Sequence, residues 1–230
     1  MNPSLTIIIP VLNEARILPD RLEALQFARS RDVELIVVDG GSADGSFEIS
    51  HALCDRTLKS PAGRARQMNE GARHASTEWL LFLHADTRLE EEAFEALLEA
   101  LSREPDWGWF DVRIEGKHPL LSLTAVMMNA RAGLTKVATG DQGLFMKKAL
   151  FDAVGGFPDM SLMEDVALSK ALRGIAKSKV VCTPLVTDGR RWDQGGWFRT
   201  VLRMWGLRFA YWAGVGPDRL AGYYAHVRGR

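Results

Sequence analysis

The chain has 230 residues with 29 basic and 29 acidic side chains, so it suits one domain with at most a small appendage and has no net charge to draw it to nucleic acid. A chain of that length buries roughly 70% of its unfolded surface without covalent staples. Its two cysteines, Cys54 and Cys182, argue against a disulfide framework and fit a reducing compartment. Residues 1–30 lack a basic segment followed by an apolar one, because Asn13, Glu14 and Arg16 arrive early. No apolar stretch approaches the ~20 residues of a bilayer span. The expectation is a cytoplasmic protein.

Residues 5–10 open the chain as an apolar strand, and apolar positions at Ile17, Leu18, Leu22, Leu25 and Phe27 predict a helix over residues 15–30. Residues 33–38 predict a second strand, with Asp44 capping a helix that runs to about Leu53. A helix with a basic first turn follows over residues 63–74, then a strand over 79–83 and an acidic amphipathic helix over 91–102. This alternation predicts an α/β domain built on a parallel sheet. Beyond Pro105, residues 107–115 alternate like a strand and 120–132 like a helix. Residues 140–147 read as a loop entering a strand, and 164–172 as a helix opened by two acids.

Three of these strands have one form. Residues 5–14 (LTIIIPVLNE), 33–44 (VELIVVDGGSAD) and 79–87 (WLLFLHADT) are apolar runs, unbroken over residues 79–83, that end in carboxylates. Such runs suit strands buried on both faces, and open α/β sheets bind ligands at the carboxyl edge of their strands. Three acids delivered to that edge point to a metal-bridged nucleotide. Asp39 is either an acceptor for a nucleobase N–H or a turn aspartate before Gly40 and Gly41. Ser42 occupies the second glycine position of the dinucleotide fingerprint, which argues against a nicotinamide cofactor. Asp86 suits Mg²⁺ or Mn²⁺, which take one or two carboxylates plus phosphate oxygens; its alternative role is to cap the next helix. His84 is a metal ligand, a neutral imidazole beside phosphates, or structural. Arg64 and Arg66 stand in a helical first turn that disfavours cations, so they either contact an anionic ligand or form a solvated basic face. Glu164 and Asp165 offer a general base, or simply cap their helix. Residues 197–212 place tryptophans at helical spacing with Arg199 and Arg203 on another face, which suits an anionic membrane surface or packing on the core.

Taken together, IIIPVLNE (7–14), VVDGGSADGS (37–46), LLFLHADT (80–87) and MED (163–165) resemble, in order and spacing, the family 2 glycosyltransferases. Residues 189–192 (GRRW) and the tryptophan-rich helix look like a bacterial subgroup of that family. The resemblance implies a GT-A fold, a single Rossmann-like domain over residues 1–190 whose mostly parallel central sheet is flanked by helices. A nucleotide-binding half would span about 1–105 and an acceptor half about 106–190, with a C-terminal amphipathic helical tail over 191–230. The implied reaction is metal-dependent, inverting transfer from a nucleoside-diphosphate sugar to a hydroxyl acceptor, with Mn²⁺ or Mg²⁺ as cofactor. Pro10, Leu12 and Glu14 would line the nucleoside pocket, Asp39 would bond the base, and Arg64 would meet the base or diphosphate. Asp86 stands where the last acid of the family's Asp-x-Asp metal motif stands, with His84 in place of the first. Asp165 matches the acid that serves as base, with Glu164 beside it. The tail hints at a lipid-linked acceptor and a peripheral position at the inner membrane face.

Two other readings use the same residues. A sugar nucleotidyltransferase wants a glycine-rich basic first loop, which PVLNEARIL is not. A non-catalytic nucleotide-sugar binder is permitted by the His84 substitution.

Overall fold

In the computed structural model, which describes residues 4–225, a single sheet of eight strands is flanked by helices on both faces. The strands are β1 (Leu5–Val11), β2 (Glu34–Asp39), β3 (Arg56–Lys59), β4 (Trp79–Phe82), β5 (Thr87–Arg88), β6 (Trp107–Glu115), β7 (Leu144–Lys147) and β8 (Ser178–Asp188), in the order β3-β2-β1-β4-β7-β6-β8-β5. The pairs β1–β2, β1–β4, β2–β3 and β6–β8 are parallel, whereas β4–β7, β6–β7 and β5–β8 are antiparallel. Followed through the sheet, these pairings leave only β7 and β5 running against the rest, which is the mostly parallel sheet expected.

Every residue of β1 is buried, and its side chains alternate between two cores. Ile7 and Ile9 join Leu18, Leu22, Phe94 and Leu97 on one face, while Ile8 joins Met68, Phe151, Phe157 and Leu168 on the other. Fully burying each isoleucine is worth about 1.5–3 kcal/mol. The first core is roofed by α1 (Leu18–Glu23), α2 (Gln26–Arg29) and α5 (Glu91–Leu101), the second by α4 (Arg64–His74), α7 (Lys148–Ala153) and α8 (Glu164–Leu172). The remaining helices are α3 (Ser46–Leu53), α6 (Leu121–Thr135), α9 (Arg190–Gly195), α10 (Trp197–Trp212) and α11 (Pro217–Ala225).

Several local expectations change. The helix expected over residues 15–30 is two short ones, because Leu18, Leu22, Leu25 and Ala28 are spaced four, then three, then three apart. Bonds from Leu25 N to Leu22 O (3.1 Å) and Ala28 N to Leu25 O (3.0 Å) tighten the chain so that all four stay buried. Asp44 does not cap α3 directly. Gly45 holds the cap position at φ 88°, and Asp44 reaches past it to accept from Ser46 N and Oγ at 3.1 and 2.6 Å. Strand β3 is polar and sits at the sheet edge, and β8 contains Pro184; neither shows an apolar signature. Pro184 is accommodated at a bulge, where pairing jumps from Phe110–Val181 to Val112–Leu185 and no ladder N–H is needed.

Candidate active site

The parallel strands β1, β2 and β4 all end at one edge of the sheet. Strand β7 begins there, since Leu144 lies opposite Phe82. The loops after β1, β2 and β4 and the segment before β7 are therefore neighbours. Beside β4 the ladder of β1 stops at the bond from Leu83 N to Ile8 O, while beside β2 it continues to Val11. Pro10 lies past that stop, where its missing N–H costs no ladder bond, and the two strands part to open a crevice.

On one side of the crevice the first two loops are laced together. Asn13 N donates to Ser42 Oγ, Glu14 N to Ser46 Oγ, Ala15 N to Asp44 Oδ2 and Ala43 N to Asn13 Oδ1, each at 2.9 Å. These bonds hold Asp44 below the usual carboxylate range, the Ser46 hydroxyl contributing most and the Ala15 amide next. Buried Gln67, on which no sequence motif falls, donates to Val11 O and Val38 O at 2.8 Å and ties the two strand ends from below. Asp39 is 2% exposed. Its Oδ2 closes the turn by accepting from Gly41 N (2.9 Å) and Ser42 N (3.0 Å), while Oδ1 has no hydrogen-bond partner among the described residues. A buried oxygen left this way is costly unless something donates to it. Pro10 is buried within β1, whereas Leu12 is exposed on the loop and Glu14 half-buried beside it.

Across the crevice stand the acids. His84 and Asp86, after β4, meet Asp141 in a short 3-10 turn (Gly140–Gln142), with one ligand atom from each within 4.8 Å of the others. His84 Nδ1 lies 3.4 Å from Asp141 Oδ1. Asp86 caps no helix, since α5 starts at Glu91 with Glu90 at its cap position and β5 intervenes. The turn carrying Asp141 is fixed by a capping box between Thr139 and Gln142, and Gly140 lies directly against the His84 ring. Asp141 is invisible in the sequence as a ligand, because only the antiparallel pairing of β7 on β4 brings it to His84.

Asp165 accepts from Gly140 N at 2.6 Å through Oδ2 and from Val166 N at 2.7 Å through Oδ1, so it satisfies an amide in the first turn of α8, whose cap position is Met163, and touches the Asp141 turn at once. Glu164 turns the other way: it is 2% exposed, with Oε1 3.1 Å from Arg64 Nε. Burial pushes the Glu164 carboxyl above its ordinary range; Arg64 opposes the shift and Asp165 adds to it. That ion pair answers the unfavourable position of Arg64 in the first turn of α4, whereas Arg66 pairs with Asp159 at 2.8 Å on the surface. Arg131 donates to Val137 O at 2.8 Å, and burial brings its guanidinium down to about 10. Arg64, His84, Gly140, Asp141 and Asp165 line one open cleft of about 550 Å³. Helix α10 adds Met204, Leu207 and Arg208 to its wall.

The tail helix thus has two faces. Thr200 and Leu207 are buried, and Trp197 donates to Thr124 Oγ1 at 2.8 Å. Phe198, Leu202, Trp205, Phe209 and Trp212 point outward, between 57% and 75% exposed. Among the described residues no helix is long and apolar enough to cross a membrane.

Comparison with known proteins accords with this architecture. Residues 6–151 match the model of glycosyl transferase family 2. Poly-beta-1,6-N-acetyl-D-glucosamine synthases from Staphylococcus aureus and Staphylococcus epidermidis are 25% and 26% identical over 84% of this chain. The chain spans about half (54%) of the length of these curated relatives. Among solved structures, the mannosyltransferase PcManGT of Pyrobaculum calidifontis, in complex with GDP-Man and Mn²⁺, superposes with a TM-score of 0.65 at 19% identity, covering 99% of this chain and 70% of that one. TarS 1-349 of S. aureus in complex with UDP-GlcNAc gives 0.64 at 18% identity, covering 80% and 58%. These likenesses establish the GT-A fold expected from the sequence. With more than half of its length matched by the family model, the chain belongs to glycosyltransferase family 2.

Proposed function

We propose that this edge binds a nucleoside-diphosphate sugar and a divalent cation, and that the chain transfers the sugar, with inversion, to a hydroxyl acceptor. The observation that carries the proposal is that a candidate base, Asp165, shares one cleft with His84 and Asp141, two members of the His84, Asp86 and Asp141 group. Residues 1–105 would hold the nucleotide and 106–190 the acceptor. The nucleoside would lie over the laced loops beside Pro10, Leu12 and Glu14, with the unpaired Asp39 oxygen accepting from its base.

The residues present suit a divalent ion: one imidazole and two carboxylates converge, all half-buried, and two carboxylates this close repel each other without a cation between them. One nitrogen among the donors favours Mn²⁺ over the oxygen-loving Mg²⁺. An ion held there supplies positive charge to the oxygens of the departing diphosphate. Asp165 faces the acceptor hydroxyl. Its carboxylate takes the hydroxyl proton as the acceptor oxygen bonds to the anomeric carbon and the bond to the diphosphate breaks on the opposite side. Glu164, tied to Arg64 and buried, holds Arg64 at the cleft and does not meet the acceptor.

What supports a lipid-linked acceptor is the outward face of α10. It carries five exposed apolar side chains, and the helix bears Arg199 and Arg203 outside the cleft with no acid, although the chain as a whole is neutral. That composition suits an anionic membrane surface and supports a peripheral position there.

The test is Asp165→Asn, measured for donor binding and for transfer in the same preparation. Binding should persist while transfer falls about 10²–10⁴-fold, the usual worth of a positioned base. Transfer within tenfold of wild type would move the base elsewhere, and retention of the anomeric configuration would overturn inversion.

A further inference from the structure

Helix α10 lines the cleft with a cation that the site itself leaves unused. Arg208 is half-buried among Leu162, Met204 and Leu207, and it lines the cleft opposite His84, Asp141 and Asp165. Among the described residues it makes neither a hydrogen bond nor an ion pair. Burial lowers its pKa, and Asp165 and Asp141 act at longer range in the opposite direction. Arg64, the other arginine of the cleft, is already paired with Glu164. The cleft also carries Asp141 and Asp165, and with Arg64 paired to Glu164 a divalent ion bound there leaves part of a diphosphate's charge unanswered. A planar guanidinium held at one side of such a cleft matches phosphate oxygens in a bidentate fork.

The orientation of Arg208 follows from the packing of α10. Leu207 is anchored in a cluster with Leu162 and Leu220, and Trp197 is tied to Thr124. Those contacts turn positions 204, 207 and 208 inward together, one helical turn apart. A helix free to roll would not keep an arginine in the cleft.

We propose that Arg208 of the tail helix binds the diphosphate of the donor, so that the tail is part of the donor site. The proposal rests on the reading of the cleft as a nucleoside-diphosphate-sugar site. It is tested by calorimetric titration of UDP, GDP, CDP and TDP, each beside its parent nucleoside, at saturating Mn²⁺. The proteins compared are wild type, Arg208→Gln, Arg208→Lys and the exposed control Arg199→Gln. For the diphosphate that binds wild type, Arg208→Gln should weaken affinity about tenfold or more, and Arg208→Lys should recover part of the loss. Nucleoside affinity should not change, which also shows that the variants are folded, and Arg199→Gln should behave as wild type. Diphosphate affinity within twofold of wild type in Arg208→Gln would overturn the proposal. The same holds if that variant instead raises only the KM for acceptor, which would give the arginine to an acceptor phosphate. If wild type binds no nucleoside diphosphate, the donor reading itself fails and takes this proposal with it.

Discussion

Gly140→Ala tests the metal group without touching any of its ligands. A Cβ on Gly140 would sit 2.2 Å from His84 Cε1 and 2.3 Å from Nε2, where ordinary contact begins at 3.4 Å. The ring or the turn must therefore open this contact by 0.8 to 1.2 Å, the differences of 3.0 and 3.4 Å from 2.2 Å. Backbone strain is no part of this, because Gly140 is absent from the positive-φ glycines. Metal–ligand distances tolerate only about 0.2 Å, so either His84 swings off the site or the turn withdraws Asp141. Disturbing the support of a ligand typically costs about 10–100-fold in metal affinity, or ~1.4–2.8 kcal/mol. Free Mn²⁺ followed by electron paramagnetic resonance reads this directly. Gly133→Ala is the control: its Cβ meets nothing within 4 Å inside α6, and alanine should stabilise the helix by about 1 kcal/mol. A folded Gly140→Ala protein that binds Mn²⁺ as tightly as wild type would refute the assignment of His84 and Asp141 to one ion.

Two further outcomes follow from the same geometry. Because burial raises the Glu164 pKa in the fold above its ordinary 4.5, its protonated form contributes stability that is complete below the unfolded value and lost as pH rises through the folded one. Urea midpoints from pH 4 to 7 should therefore show Glu164→Gln gaining on wild type as pH rises; a constant or shrinking difference would contradict this. Replacing Leu202, Trp205 and Phe209 together with serine should weaken co-sedimentation with anionic vesicles while the thermal midpoint stays close to wild type, since all three are exposed. Unchanged sedimentation would assign that face some other role.

The parts of the site legible in the sequence are those carried by strands buried on both faces. Strands β1, β2 and β4 announce themselves as apolar runs, and a carboxylate that follows such a run must lie at the edge of the sheet. Asp39 and Asp86 could therefore be placed together before any pairing was known. Asp141 could not, because it belongs to a strand that runs the other way, and no local pattern says that β7 lies on β4. Gln67 sits on a helical face with no polar signature of its own, and its meaning appears only when two strand ends need a donor beneath them. Arg208 was hidden differently. The tail shows tryptophans at helical spacing, but which face turns inward depends on the Leu162, Leu207 and Leu220 cluster, far apart in the chain. The same contacts decide that the tail packs on the domain with one face and presents its aromatic face outward.

The most direct measurement is a thermal-shift panel of UDP, GDP, CDP and TDP, each with and without Mn²⁺, on wild type and Asp86→Ala. A ligand at a hundred times its dissociation constant adds ~2.7 kcal/mol, a shift of several degrees. The account predicts that one nucleoside diphosphate stabilises wild type, that it does so only with Mn²⁺, and that Asp86→Ala abolishes the metal requirement together with the shift. Stabilisation of equal size without metal, or in Asp86→Ala, would contradict a metal-bridged donor at this edge.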